Sequence, residues 1–189
     1  MFNLITNYIY LYHTGEFIIL PSYPDSIQDN LSSNFNAENT MLRSAPIFAY
    51  SNSGPREMQI TIELQRDIIS QLNVGKSNLN IEVGDDYVDT IIKKIQSIAL
   101  PRYDGNTKLV DPPLVAVRFG NEIFIKGIVR GGLSTSFRKP IIEGDKYAHV
   151  TISFNVTEVT PYDALSVQEN GLLRGLNTTL ERKLYKRSV

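Results

Sequence analysis

Apolar and polar residues alternate cleanly in two places along this chain. In Glu57 to Gln65, Met58, Ile60, Ile62 and Leu64 alternate with Glu57, Gln59, Thr61, Glu63 and Gln65. In the second, Val150, Ile152, Phe154 and Val156 alternate with Thr151, Ser153, Asn155 and Thr157. A period of two places one set of side chains on each side of a pleated strand, so both segments predict strands with one buried and one wet face. Between them, Tyr87, Val88, Ile91, Ile92, Ile95, Ile98 and Ala99 recur at spacings of three and four, which predicts an amphipathic helix over 85–100. Asp85, Asp86 and Asp89 fall in its first turns, where carboxylates cap open N–H groups, and Pro101 stops it.

The remaining chain is punctuated by turn chemistry. Asn7 to His13 and Phe17 to Leu20 flank Thr14-Gly15-Glu16 and predict a first hairpin. Pro21 and Pro24 break it. Residues 30–39 read as an edge strand or a loop laid over a neighbour, and Ile47 to Tyr50 forms a short segment between Pro46 and Ser53-Gly54-Pro55. Residues 67–79 are ambiguous between a helical turn and a loop. Leu114 to Phe119, Ile123 to Arg130 and Leu133 to Phe137 read as strands, with a tight reversal at Gly120-Asn121 and a bulge or bent corner at Gly131-Gly132. Lys139-Pro140 to Lys146 reads as a charged loop. Beyond Pro161 strand alternation stops; leucines at 165, 172, 173, 176, 180 and 184 could line a helix, but Gly171 and Gly175 weaken it, and the segment with its basic end reads as an extended arm that orders on a neighbour. The organisation expected is one domain over 1–164 and a C-terminal arm over 165–189.

With 189 residues, 42% of them hydrophobic, the chain fits one domain with an ordinary core. A formal net charge of −1 argues against a dedicated nucleic-acid binder, though not against a conduit through which DNA passes. The absence of cysteine excludes disulfides, thiolate metal sites and a Cys nucleophile. The apolar N-terminus lacks the basic region and cleavage site of a signal peptide, and no apolar run is long enough for a transmembrane helix.

Candidate chemistry is sparse. His13 and His149 each sit in a predicted strand without a sequence-local acidic or His partner, and neither zinc spacings, a nucleophile elbow nor a phosphate loop is present. Glu63 and Glu158 read as solvated residues on wet strand faces. No catalytic, cofactor-binding or metal-binding residue is therefore expected, and the chain does not read as an enzyme.

The ordered segments resemble a family: the baseplate proteins of phages and related contractile injection systems that sit where the tail tube meets the hub. The resemblance rests on Ser44-Ala45-Pro46 with Ile47 to Tyr50, Gly54-Pro55-Arg56-Glu57 leading into the strand to Leu64, and the helix ending Ile98-Ala99-Leu100-Pro101. It continues through Asp111-Pro112-Pro113, Val115 to Gly120, Phe124 to Val129, and Val150 to Val159 with Thr160-Pro161-Tyr162-Asp163-Ala164. It implies a mainly β (α+β) fold, a tail-tube-like antiparallel β-barrel or sandwich with one flanking helix, extended loops and the C-terminal arm. It further implies a structural adaptor in the virion tail, assembled in the host cytoplasm. Its partners would be hub and tail tube proteins and copies of itself in a ring, a hexamer with a trimer as the alternative. DNA would be passing cargo only; no membrane and no cofactor enter. The residues expected at interfaces are Pro112, Pro113, Pro161, Tyr162, Leu172, Leu176, Arg182 and Lys183. Several relatives carry a LysM module after this domain; the chain ends without room for one, so cell-wall binding does not follow from the resemblance. The competing expectation, a peptidoglycan- or glycan-binding baseplate module, needs an exposed aromatic platform, for which Tyr8, Tyr10, Tyr12, Tyr23 and Tyr50 are candidates.

Overall fold

The computed structural model describes residues 7–39, 41, 44–66, 86–103, 109–142, 144–160 and 163–171. The first hairpin forms as its sequence predicts, from β1 (Asn7–Leu11) and β2 (Glu16–Ile19). β3 (Ser26–Asn30), β4 (Ser33–Glu38), β5 (Ile47–Ser53) and β6 (Glu57–Gln65) follow. Then come helix α1 (Tyr87–Ser97), β7 (Arg102–Tyr103), β8 (Val110–Asp111), β9 (Leu114–Phe119), β10 (Ile123–Ile142), β11 (Lys146–Glu158) and helix α2 (Ala164–Asn170). The ambiguous segment 67–79 lies outside the described residues.

Seven strands form one antiparallel sheet in the order β2-β1-β9-β10-β11-β6-β3, while β4–β5 and β7–β8 form separate two-stranded ribbons. The expectation of a closed barrel or a two-sheet sandwich is corrected here: the described strands make one open seven-stranded sheet and two small ribbons. That sheet is nonetheless curled. Laid flat, β2 and β3 would stand about 29 Å apart at the usual strand spacing, yet the connector from Ile19 to Ser26 reaches only about 25 Å at full extension. Helix α1 covers one face of the sheet. It bridges the core face, with Lys94 paired to Glu16 of β2 at 3.2 Å and Asp86 and Asp89 held by cations at the ends of β6 and β11. The apolar stripe of α1, Tyr87, Val88, Ile91, Ile92, Ile95 and Ile98, packs into one cluster with Ile9, Ile18, Met58, Ile60, Val117, Ile125, Ile152 and Phe154.

Of the bulge or bent corner expected at Gly131-Gly132, the structure has a break in register. The β10–β11 register shifts between Arg130 and Leu133, and both glycines adopt positive φ, 78° and 89°. The charged loop expected from Lys139 to Lys146 is not present. β10 continues to Ile142, pairing Ile141 with Tyr147 and Ile142 with Lys146, so the reversal shrinks to the few residues around Gly144 and Asp145. Pro140 is tolerated because it falls at a second register shift, between Arg138 and Ile141, where no regular ladder bond is required.

Candidate interaction surface

The wet faces of the two alternating strands lie side by side, and the register builds them into rows. Ser134, Ser153, Thr61 and Ser26 align across β10, β11, β6 and β3; Arg130, Asn155, Gln59 and Gln28 form the next row. Ser136, Thr151 and Glu63, then Arg138, His149 and Gln65, extend the surface towards the other end of the sheet. The result is a four-strand polar face rich in hydroxyls and amides. Over the stretch where β10, β11 and β6 pair, the charges on this face balance: Arg130 and Arg138 against Glu57 and Glu63, with Arg130 and Glu57 paired at 3.3 Å. Such a face binds water well and gives a polyanion no net attraction.

β10 outruns its neighbour. β9 pairs with it only as far as Leu114 opposite Ile128, so among the described residues Val129 to Ile142 are paired on the β11 side alone. An open strand edge of this length is a template for another strand.

Two ionic locks fix the ends of the surface. At one end Arg56 donates from Nε and Nη2 to the Asp29 carboxylate, each at 2.8 Å, and from Nη1 to the Phe124 carbonyl at 3.3 Å, with Glu158 at 3.5 Å. The side chains of Arg56 and Glu158 are 3% and 2% exposed. Glu158 is thus not the solvated residue expected: it holds the same strand parity as Val156 and points inward with the core. At the other end Arg66 pairs with Asp86 and, at 2.6 Å, with Asp89, and donates to the Tyr147 carbonyl at 2.8 Å. Lys146 reaches Asp86 at 2.9 Å and Asp89 at 2.8 Å.

Asp86 also serves as the N-cap of α1, accepting from the Val88 N–H at 2.8 Å. Capping is the role expected of the acidic residues here, and Asp86 performs it; Asp89 acts as an ion-pair partner instead, and Asp85 lies outside the described residues. Partial burial raises the Asp86 carboxyl pKa, but Lys146, the Val88 N–H and the Arg66 charge outweigh it, for a net downward shift. Asp89 behaves likewise, burial opposed by Arg66 and Lys146. Hydrogen bonds to Asp89 and Asp86 raise Lys146.

The sequence-predicted interface residues divide sharply. Pro112 is exposed and Pro113 half-buried, in the link between β8 and β9. Pro161, Tyr162, Leu172, Leu176, Arg182 and Lys183 lie outside the described residues, as does most of the expected arm, whose start is the helix α2 and not extended chain. His149, expected to lack a sequence-local partner, has its Nδ1 3.9 Å from Glu63 across the sheet. His13, expected within the first strand, falls in the β1–β2 turn instead, because β1 ends at Leu11. The tyrosine platform is not assembled. Tyr8 and Tyr10 are buried with Phe17 and Phe124 in a second cluster on the opposite side of the sheet from the main core. Tyr12 packs edge-on against Tyr10 at 5.0 Å beneath Lys126.

No family model and no curated protein matches this chain.

Proposed function

We propose that this chain is a structural subunit of a phage or contractile-injection baseplate, an adaptor that joins the central hub to the tail tube. The observation that carries the reading is the broad, charge-balanced polar face of β3, β6, β11 and β10, bounded by the open edge of β10. Subunits that pair such edges in a ring satisfy their exposed backbone groups and turn one sheet face towards a common axis. A wall of Ser, Thr, Asn and Gln around that axis would let DNA pass without holding it, since phosphate binding needs a cationic excess.

The partners in this reading are hub and tube proteins and further copies of the chain. Six per ring follows from the resemblance, with three as the alternative. The protein acts through surfaces and not catalysis, in a virion assembled in the host cytoplasm. The test is the mass of the purified chain in solution, with electron microscopy of any large species. A ring with an open channel supports the adaptor. A monomer that sediments with cell-wall sacculi, and stays monomeric when a hub protein is added, would sink it in favour of glycan binding.

A further inference from the structure

Every residue of β4 and β5 is exposed. The register gathers Phe35, Ala37, Phe48 and Tyr50 on one side of this ribbon, with Phe35 and Tyr50 packed edge to face at 5.6 Å. Phe35, Phe48 and Tyr50 remain 55%, 65% and 59% exposed. A two-stranded ribbon is marginal alone in water, and an uncovered aromatic face makes it more so. Yet its base is built to hold a fixed direction. Arg56, buried just after β5, grips Asp29, just before β4, with two hydrogen bonds. Gly54 donates to the Ser32 carbonyl at 2.9 Å, in an approach so close that a Cβ there would meet the Ser32 hydroxyl. A rigid base beneath an apolar surface is the construction of an arm made to dock.

The same chain carries an apolar seat that is also uncovered. Leu100, Tyr103 and Val110, at the end of α1 and on the β7–β8 ribbon, are 61%, 73% and 52% exposed. One row of paired residues connects the two surfaces. From Asn30 it crosses to Glu57, Thr157, Ile128 and Leu114, and Leu114 accepts from the Tyr12 N–H. The β4–β5 ribbon leaves from the Asn30 end of this row, and β8 enters the sheet at the Leu114 end. Ribbon and seat therefore lie at the same end of the sheet, at the two ends of this row, and are different patches, as a head-to-tail contact between copies requires. The ribbon strands carry a single charge, Glu38; beside the seat stands Arg102, with Asp111 opposite it in the β7–β8 ladder.

We propose that the β4–β5 ribbon of one copy docks through Phe35, Phe48 and Tyr50 on the Leu100, Tyr103 and Val110 surface of a second copy. The contact deepens the adaptor reading and rests on it, because it names what ties neighbours in the ring. Three half-covered aromatics fall short of the roughly 800 Å2 per partner of a stable interface, so the ribbon acts together with the β10 edge.

The full-length chain serves as the test object, because Phe48 and Val110 are exposed; circular dichroism confirms that each variant is folded. In sedimentation velocity, Phe48→Asp and Val110→Asp are each expected to weaken self-association by about tenfold or more. An equimolar mixture of the two is expected to yield a two-chain species, since one intact ribbon and one intact seat remain. Undiminished rings in both variants overturn the ribbon contact while leaving the adaptor reading in place. A contact too weak to sediment is read by crosslinking, for which a chain without cysteine is a clean background. Phe48→Cys and Val110→Cys chains, mixed and treated with a short bismaleimide, are expected to give a heterodimer. Absence of that product overturns the contact even where the wild-type chain is a monomer, and binding of added hub protein then judges the adaptor separately.

Discussion

Arg56, Arg66 and Glu158 share a position in the strand pattern: each continues an apolar stripe by one step, before Met58, after Leu64 and after Val156. All three are buried, and all three are paired. Replacing Arg56 with Met is expected to destabilise the fold by about 3 kcal/mol, because the buried Glu158 carboxylate loses a cation and Asp29 a bidentate partner. Urea unfolding of the variant checks it. Gly127→Ala is expected to cost about 2 kcal/mol or more by the same measurement. A Cβ there would lie 2.2 Å from the Thr157 carbonyl oxygen, and backbone has nowhere to go. Gly54→Ala should cost less, since the atom in its way is a Ser32 hydroxyl that rotates. Strand parity agrees with the inward direction of these charges, yet a carboxylate at a strand end reads by its type as solvated, and Glu158 was expected on the wet face. Their partners were not legible: Arg56 and Glu158 are 102 residues apart.

At the scale of elements, α1 is joined to the start of β11 and the end of β6 by a four-member ionic clasp. The Asp86 and Asp89 carboxyls titrate lower in the folded chain than in the unfolded one. The stability they contribute is therefore complete above the ordinary carboxylate range and is lost as pH falls through their lowered values. Lys146 shifts upward, so its contribution is complete below the ordinary lysine range and is lost as pH rises through its raised value. Urea midpoints are expected to hold a plateau at neutral pH and fall at both extremes, with the acid limb shallower in Asp89→Asn. The helix and the alternating strands were legible because a few neighbouring residues suffice to define a period of two or of three to four. The length of β10 was not. Lys-Pro and nearby charges resemble a loop locally, and only the ladder to β11 carries the strand past Pro140.

For the whole molecule, the adaptor reading makes the open edge of β10 the place where assembly is felt. In hydrogen exchange, residues 129–142 are expected to gain protection on passing from monomer to ring, as are 33–38 and 47–53 if the ribbon docks. Core strand β1 should change little. A short labelled DNA duplex at physiological salt is expected to show no retention by the assembled protein, as the charge-balanced face implies. Tight binding, detected by anisotropy, would contradict a passive lumen wall.

The sequence by itself determined the two alternating strands with the side of each that faces inward, the amphipathic helix, the first hairpin and the break in regular pairing at Gly131-Gly132. These depend on steric and hydrophobic preferences that act over a few residues. Only the tertiary structure decided the order of the strands, the open edge of β10, the alignment of four polar faces into one surface, and the exposure of the β4–β5 ribbon. Each of these depends on which distant segments meet. Hydrophobic burial is non-directional, so the pattern that drives a strand inward does not say which strand will lie beside it.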